Sequence, residues 1–345
     1  MKKTFKNPGL WLLAFVLLYL NSACDYKRSA LGEHQHIFVF ADSLLWLDVK
    51  DDVQETFYNY IHTPRAERSF TLEWLPLSQL NAVSNRMNFI FIGTTQPGTE
   101  VNDYLLKSVP PQFIEKVNND ENFYFFKNDL FMGNQISIFM LAKDATTFKE
   151  NFSQTKNNIF DQFNAKYLAR LEDSMFKQGE QDELEEYLAE HYGYKIRVQH
   201  DYFLANQNPD EKYVWLRRID PDRWISIWRV KNDSLFYNKD SLMQIRNTMT
   251  GKYYDGDVVV DDETQLSQVD FLNRQAFKLT GTWRNDSLLV GGPFRMYTIY
   301  NAKNDSLYLV DIAVMAPTRD KKPFLDQLEV IASTFKFVVN EKTEK

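Results

Sequence analysis

Two runs, Tyr213–Arg218 (YVWLRR) and Trp224–Val230 (WISIWRV), decide the fold. Both are rich in aromatic and β-branched residues and too short for helices, which makes them strands. The same signature returns at Phe277–Trp283, Phe294–Tyr300 and Leu307–Val314, and shorter runs precede it at Lys195–Val198 and Tyr202–Ala205. Two segments depart from it. Ser241–Met249 has helical spacing, and Phe324, Leu325, Leu328, Ile331 and Phe335 share one face of a last helix. Strands in succession with few helices between them predict an antiparallel sheet with helices packed on it, an α+β layer.

Upstream the pattern differs. His36–Ala41, Phe70–Leu75 and Asn88–Ile92 read as strands, with a helix around Val53, Phe57, Tyr60 and Ile61. Val101–Val117 reads as a helix broken at Pro110-Pro111, because proline removes a backbone donor and clashes with the preceding turn. Phe123–Phe126 and Ile136–Leu141 pair around Met132-Gly133-Asn134. A long amphipathic helix follows, its stripe running from Phe148 through Phe152, Ile159, Phe163 and Tyr167 to Met175. Gly179 interrupts the stripe and Gly193 ends its continuation. The expected organisation is an N-terminal α/β region over 36–193 and a C-terminal α+β region over 194–340.

The first 35 residues read as an address. Lys2, Lys3 and Lys6 precede an unbroken apolar run, Leu10–Leu20, and Asn21-Ser22-Ala23 leads to Cys24. This is a secretory signal over 1–23; its apolar run falls well short of the roughly 20 residues a spanning helix needs. Cys24 is the only cysteine, so it forms no internal disulfide. Its place behind Ser22-Ala23 resembles a bacterial lipobox, with Asn21 where Leu is commonest. Cys24 is therefore the expected lipidation site, residues 24–35 a polar tether, and the lipid bilayer a partner. No acidic run follows the cysteine, which favours an outer-membrane anchor facing the periplasm. The net charge of −7 becomes −10 once the three leader lysines are gone, and such a chain repels nucleic acid.

The motifs Tyr213–Arg218, Gly281-Thr282-Trp283, Gly291-Gly292-Pro293-Phe294, Val310-Asp311, Ala316-Pro317 and Phe335-Lys336-Phe337 resemble a Bacteroidota lipoprotein family, domain of unknown function 4837. The resemblance extends over nearly the whole mature chain, more weakly before about residue 150. It implies an exported envelope protein and no activity. The order of strands and helices is also loosely similar to PsbP-like domains.

Asp-Ser followed by Leu or Met occurs six times, at Ser43, Ser174, Ser234, Ser241, Ser287 and Ser306. Composition alone would give about 1.4 Asp-Ser pairs. Three copies are Asn-Asp-Ser-Leu between strand-like runs, and those residues favour hairpin turns because their side chains bond local backbone. The pattern also looks like the O-glycosylation sequon of exported Bacteroidota proteins, and an exposed turn can serve both ends.

No Gly-x-Ser-x-Gly elbow, phosphate-cradling glycine loop, His-Glu-x-x-His or cysteine pair occurs. No cofactor and no metal site are expected; His34 and His36 lie in the tether, and Asp255, Asp257, Asp261, Asp262 and Glu263 read as an exposed acidic loop. Gly291-Gly292-Pro293 reads as a bulge or tight turn. The candidate binding surface is the cluster Trp215, Arg217, Arg218, Trp224, Trp283 and Arg284, which suits a carboxylate, a sugar ring or a peptide. Its bland reading has alternate residues in the core and the arginines paired with Asp220, Asp222 or the acidic loop. Two functions fit: a non-catalytic envelope module that binds a protein or glycan, or an envelope hydrolase using two carboxylates or a hydroxyl beside His62, His191 or His200.

Overall fold

The computed structural model describes residues 27–233, 237–254 and 256–338, the His62 side chain apart. The signal peptide, Cys24, Ser234 and Asp255 lie outside the described residues. Two compact units emerge, one from the described part of Met1–Asp51 with Leu72–Gln154, the other from Asp52–Thr71 with the described part of Thr155–Lys345. The change from helical to strand pattern at Gly193 thus falls inside the second unit.

In chain order the elements begin with β1 (His36–Ala41) and α1 (Ser43–Tyr58). A small hairpin of the second unit follows, β2 (Ile61–His62) and β3 (Ala66–Glu67). Then come β4 (Thr71–Leu75), α2 (Leu80–Val83), β5 (Asn88–Thr94), α3 (Glu100–Ser108), α4 (Pro111–Asn118), β6 (Tyr124–Asn128) and β7 (Ile136–Ala142). The first unit's five-stranded sheet has the order β4-β1-β5-β7-β6, with β1, β5 and β7 parallel and β6 antiparallel to β7. Parallel strands covered on both faces are apolar throughout, and all of β7 is buried. Aromatic rings stack across neighbouring strands, Phe40 on Phe91 at 5.3 Å, Phe91 on Phe139 at 4.8 Å and Phe125 on Phe139 at 5.0 Å. The break at Pro110-Pro111 separates α3 from α4, and Pro111 takes the first turn of α4, where its missing N–H costs nothing.

The residues read as a tether do more than span a gap. Ala30 is 4% exposed and its N–H donates to the Gly133 carbonyl at 2.8 Å, while the Gly133 N–H donates to the Arg28 carbonyl. A side chain at 133 would meet the Lys27 carbonyl at 2.9 Å, so glycine is required for this docking. His36 likewise belongs to β1 and not to the tether; its Nε2 stands 3.0 Å from the Glu73 carboxylate.

The long helix, α5 (Ala145–Phe176), and α6 (Asp182–Tyr192) are divided near Gly179, and Gly193 closes α6 in a left-handed conformation at φ 79°. Next follow β8 (Tyr194–Lys195), β9 (Phe203–Asn208), β10 (Tyr213–Arg218), β11 (Asp222–Lys231), α7 (Lys239–Tyr253), β12 (Val258–Val259), β13 (Gln265–Asp270), β14 (Gln275–Asn285), β15 (Val290–Asn301), β16 (Ser306–Met315), α8 (Lys322–Ser333) and β17 (Lys336–Phe337). The main sheet runs β12-β14-β15-β16-β11-β10-β9, with β13 also on β14 and every pairing antiparallel. The α+β expectation holds. The strand expected over Lys195–Val198 shrinks to β8, which pairs with β17, and β13 carries too few apolar residues to show in the sequence.

Successive residues of a strand face opposite sides of a sheet, and both sides are covered here. Ile225, Ile227, Val310 and Ile312 join one core with Leu325, Leu328 and Ile331 of α8 and Leu188 of α6. Trp224, Leu279, Trp283, Phe294, Leu309 and Ala313 join another with Leu242 of α7. Long strands that alternate between two apolar faces leave little room for polar residues, which is why β16 is apolar from Leu307 to Met315 but for the buried Asp311.

Candidate functional site

The tryptophans of the second core meet at one end of the main sheet. In the β10–β11 pairing Arg217 stands opposite Trp224, so Trp215, Arg217, Asp222 and Trp224 share a face. Across β11–β16, Trp224 opposes Ala313 and Asp222 opposes Met315; across β14–β15, Trp283 opposes Gly292. Large rings therefore sit against the smallest residues. A Cβ at 292 would lie 1.9 Å from the Val314 carbonyl oxygen and 3.5 Å from Trp283 Nε1. Gly291-Gly292-Pro293 is thus not a turn or bulge: it lies inside β15, where glycine lets neighbouring backbone approach.

The result is a pocket of about 60 Å³ lined by Trp215, Trp224, Tyr254 and Trp283, with Arg217, Asp222 and Asp257 among its polar members. Ring centroids lie 4.6 Å apart for Trp215 and Tyr254, 5.4 Å for Trp224 and Trp283, and 5.8 Å for Trp224 and Tyr254. Arg217 Nε donates to Asp222 Oδ1 at 2.8 Å, its Nη2 donates to the other carboxylate oxygen, and its guanidinium lies 5.4 Å from the Trp215 ring centre. Asp257 is buried and accepts from Asn285 Nδ2 at 2.9 Å. The Tyr254 hydroxyl donates to Ser226 Oγ at 2.6 Å, and burial, reinforced by the charge of Asp311, pushes its ionisation far above the ordinary range.

The indole N–H groups of Trp215, Trp224 and Trp283 are buried and meet no acceptor among the described residues. Elsewhere Trp74 donates to the Ala41 carbonyl at 3.0 Å and Trp228 to the Glu211 carbonyl at 3.1 Å. A buried indole N–H ordinarily finds a partner, and leaving one unmade costs about 1–3 kcal/mol. All three belong to side chains that wall the one pocket.

Of the six residues expected to form a binding surface, Trp215, Arg217, Trp224 and Trp283 line the pocket. Arg218 and Arg284 do not. Arg218 pairs with Asp201 at 2.5 Å, and Arg284, largely exposed, stands 3.3 Å from Asp286. The arginine pairing anticipated by the bland reading holds for Arg217 with Asp222. Sequence reading missed Tyr254, because it ends a helix, and Asp257, because it sat in an acidic run read as exposed. The apolar neighbour Val258 and the helix end at Tyr253 were the available signals that the chain turns inward there. Asp261 and Glu263 of the same run are held by Lys239 and Thr282.

The Asp-Ser repeats divide by context. Asp286-Ser287 and Asp305-Ser306 lie at the β14–β15 and β15–β16 turns, where Asn285 Oδ1 accepts from the Ser287 and Leu288 N–H groups. Asp42 caps α1 by accepting from the Leu44 N–H at 3.0 Å, Asp240-Ser241 opens α7, and Asp173-Ser174 lies near the end of α5. Ser43, Ser174 and Ser287 are exposed; Ser241 and Ser306 are half-buried. Among the described residues no group of three or more His, Cys, Asp or Glu side chains could hold a metal ion. His191 stacks on Tyr187 at 4.2 Å, with its Nδ1 3.0 Å from the Tyr187 carbonyl oxygen.

No curated protein matches the sequence. Among solved structures, the Saccharomyces cerevisiae Ran-binding protein Mog1p is similar at 12% identity with a TM-score of 0.31, over 42% of this chain and 90% of that one. A point mutant of Mog1 gives 10% and 0.29, over 43% and 92%. LpqN of Mycobacterium tuberculosis, described as involved in cell envelope biogenesis, gives 13% and 0.27, over 42% and 83%. None of these values speaks to activity. The single family expected over nearly the whole mature chain gives way to two: residues 180–334 match the family described as "Domain of unknown function (DUF4837)" and residues 30–176 the one described as "Domain of unknown function (DUF8532)".

Proposed function

We propose that this chain is an envelope lipoprotein, anchored through acylated Cys24, whose second unit binds a glycan at the tryptophan pocket without catalysing a reaction on it. The observation that carries the reading is the convergence of Trp215, Trp224, Trp283 and Tyr254 on one aromatic pocket. A space of about 60 Å³ admits one protruding group and not a whole ligand. The acetamido methyl of an N-acetylated sugar is a group of that size, and it packs on indole. The two carboxylates at the pocket are committed to Arg217 and Asn285, a positioning role and not that of an acid–base pair.

The test is titration of the purified protein with N-acetylglucosamine oligomers, followed by tryptophan fluorescence. Saturable quenching that is lost in Trp224→Phe or Trp283→Phe, while the unfolding midpoint stays measurable, supports the pocket as the site. Unchanged emission throughout the titration, or quenching that both variants retain, removes it.

A further inference from the structure

A second concavity, of about 620 Å³, opens at the opposite end of the main sheet, among the β13–β14 turn, the β15–β16 turn and β17. Its floor is apolar. Phe335 is 2% exposed, and Phe337 and Leu272 are half-buried beside it. Its rim is cationic: Arg274, Lys303 and Lys336 line it, all exposed, and among the described residues none that lines it is acidic. In a chain of net charge −7 such a local excess of positive charge is a departure from the average surface.

Two further observations point the same way. Lys336 stands directly opposite Lys195 in the β17–β8 pairing. Like charges opposite one another destabilise a strand pair, and an anion between them reverses the sign. The β13–β14 turn is a tight two-residue hairpin: Leu272 and Asn273 both have left-handed backbone, at φ 59° and 56°, closed by reciprocal hydrogen bonds between Phe271 and Arg274. So short a connection fixes the place of the residue that follows it. That residue is Arg274, whose guanidinium lies 5.0 Å from the Phe337 ring centre on the groove wall.

The geometry points to a binding site for a phosphate-bearing organic ligand, its phosphate among Arg274, Lys303 and Lys336 and its organic part against Phe337. One carboxylate would leave two of three cations without a counter-charge. A phosphate monoester carries close to two negative charges near neutrality and several acceptor oxygens, and it suits a guanidinium fork flanked by ammonium groups. The volume lies within the range of small-molecule pockets, which is far more than inorganic phosphate needs. This inference is independent of the tryptophan pocket.

Calorimetric titration of the protein with phenyl phosphate, with benzoate as a monoanion bearing the same ring, tests it. Saturable binding of phenyl phosphate at least about tenfold tighter than benzoate is expected, and the double variant Arg274→Gln with Lys336→Gln is expected to weaken it by about tenfold or more. The double variant Lys127→Gln with Lys149→Gln, exposed lysines elsewhere with the same change in net charge, is expected to leave it unchanged. Sedimentation with phosphatidylglycerol and phosphatidylcholine vesicles separates the two sources of phosphate. Retention on phosphatidylglycerol alone, released by phenyl phosphate and lost with Arg274 and Lys336, assigns the site to a lipid headgroup; no retention assigns it to a soluble ester. Equal affinity for benzoate, no saturable phenyl phosphate binding, or binding unchanged in the groove variant overturns the proposal.

Discussion

Arg246 of α7 and Asp311 of β16 face each other with neither side chain exposed, Nε 2.7 Å from Oδ1 and Nη2 3.2 Å from Oδ2. The guanidinium also lies 4.0 Å from the Phe294 ring centre, so the pair fixes α7 against the sheet face that carries the tryptophan pocket. A buried ion pair adds little over an apolar isostere, yet breaking one half leaves a charge uncompensated. Asp311→Ala is therefore expected to lower stability by about 3–5 kcal/mol, with Arg246→Met combined with Asp311→Leu recovering most of the loss. Urea unfolding measures both. A loss below about 1 kcal/mol in the single variant would show that the pair is not an essential partnership.

Gly292→Ala tests the close approach that shapes the pocket. The added methyl would sit 1.9 Å from the Val314 carbonyl oxygen, so β15 and β16 must separate. A loss of about 1–3 kcal/mol or more is expected, together with a change in tryptophan emission as water reaches Trp283. Gly251→Ala in α7, where no atom lies within 4 Å and φ is not positive, serves as the comparison and is expected to cost nothing. A loss at 292 no larger than at 251 would mean that packing at 292 is unimportant.

The phenols of Tyr192 and Tyr202 predict the alkaline limit of the fold. Burial, aided at Tyr192 by the neighbouring Tyr187, pushes both up to about 12 from an ordinary 10.0. A raised folded-state value means that the neutral phenol is favoured by folding. Their contribution is complete below pH 10 and is lost as pH rises through about 12. Phenolate absorbance should therefore rise in two stages, exposed tyrosines first and a buried class together with unfolding. A single stage at the ordinary value would contradict the burial.

Mass spectrometry of the protein from its native membrane fraction addresses the anchor and the repeats. The expected mature chain begins at an acylated Cys24. Hexose-type mass is expected first at the exposed Ser43 and Ser287, and Ser287→Ala should remove one such increment. Ser174 Oγ donates to the Leu171 carbonyl at 2.8 Å and Ser306 Oγ to the Asn304 carbonyl at 3.1 Å, which makes both poorer acceptor sites. An unmodified Cys24 removes the anchor, and unmodified serines leave the repeats as turn and cap residues.

Most elements were legible because their causes are local. The split at Pro110-Pro111, the stop at Gly193 and the turns at Asn285 and Asp305 follow from proline geometry, left-handed glycine and side-chain bonds to nearby backbone. Failures came where context overrides composition. Arg28–Ala30 looked like a polar tether, yet its backbone docks on Gly133, more than a hundred residues away in the chain. Asp257 looked solvated because its neighbours are acidic, yet Asn285 holds it in the interior.

The sequence by itself determined an α/β portion followed by an antiparallel sheet with helices packed on it, and the turn positions between its strands, since periods of two and 3.6 are written residue by residue. Only the tertiary structure decided which aromatic residues meet. Trp215, Trp224 and Trp283 come together because Trp224 is registered against Ala313 and Trp283 against Gly292. A shift of one residue in either pairing would turn a ring to the other face of the sheet. Register is a property of strand pairs and their packing, carried by no single segment of the chain.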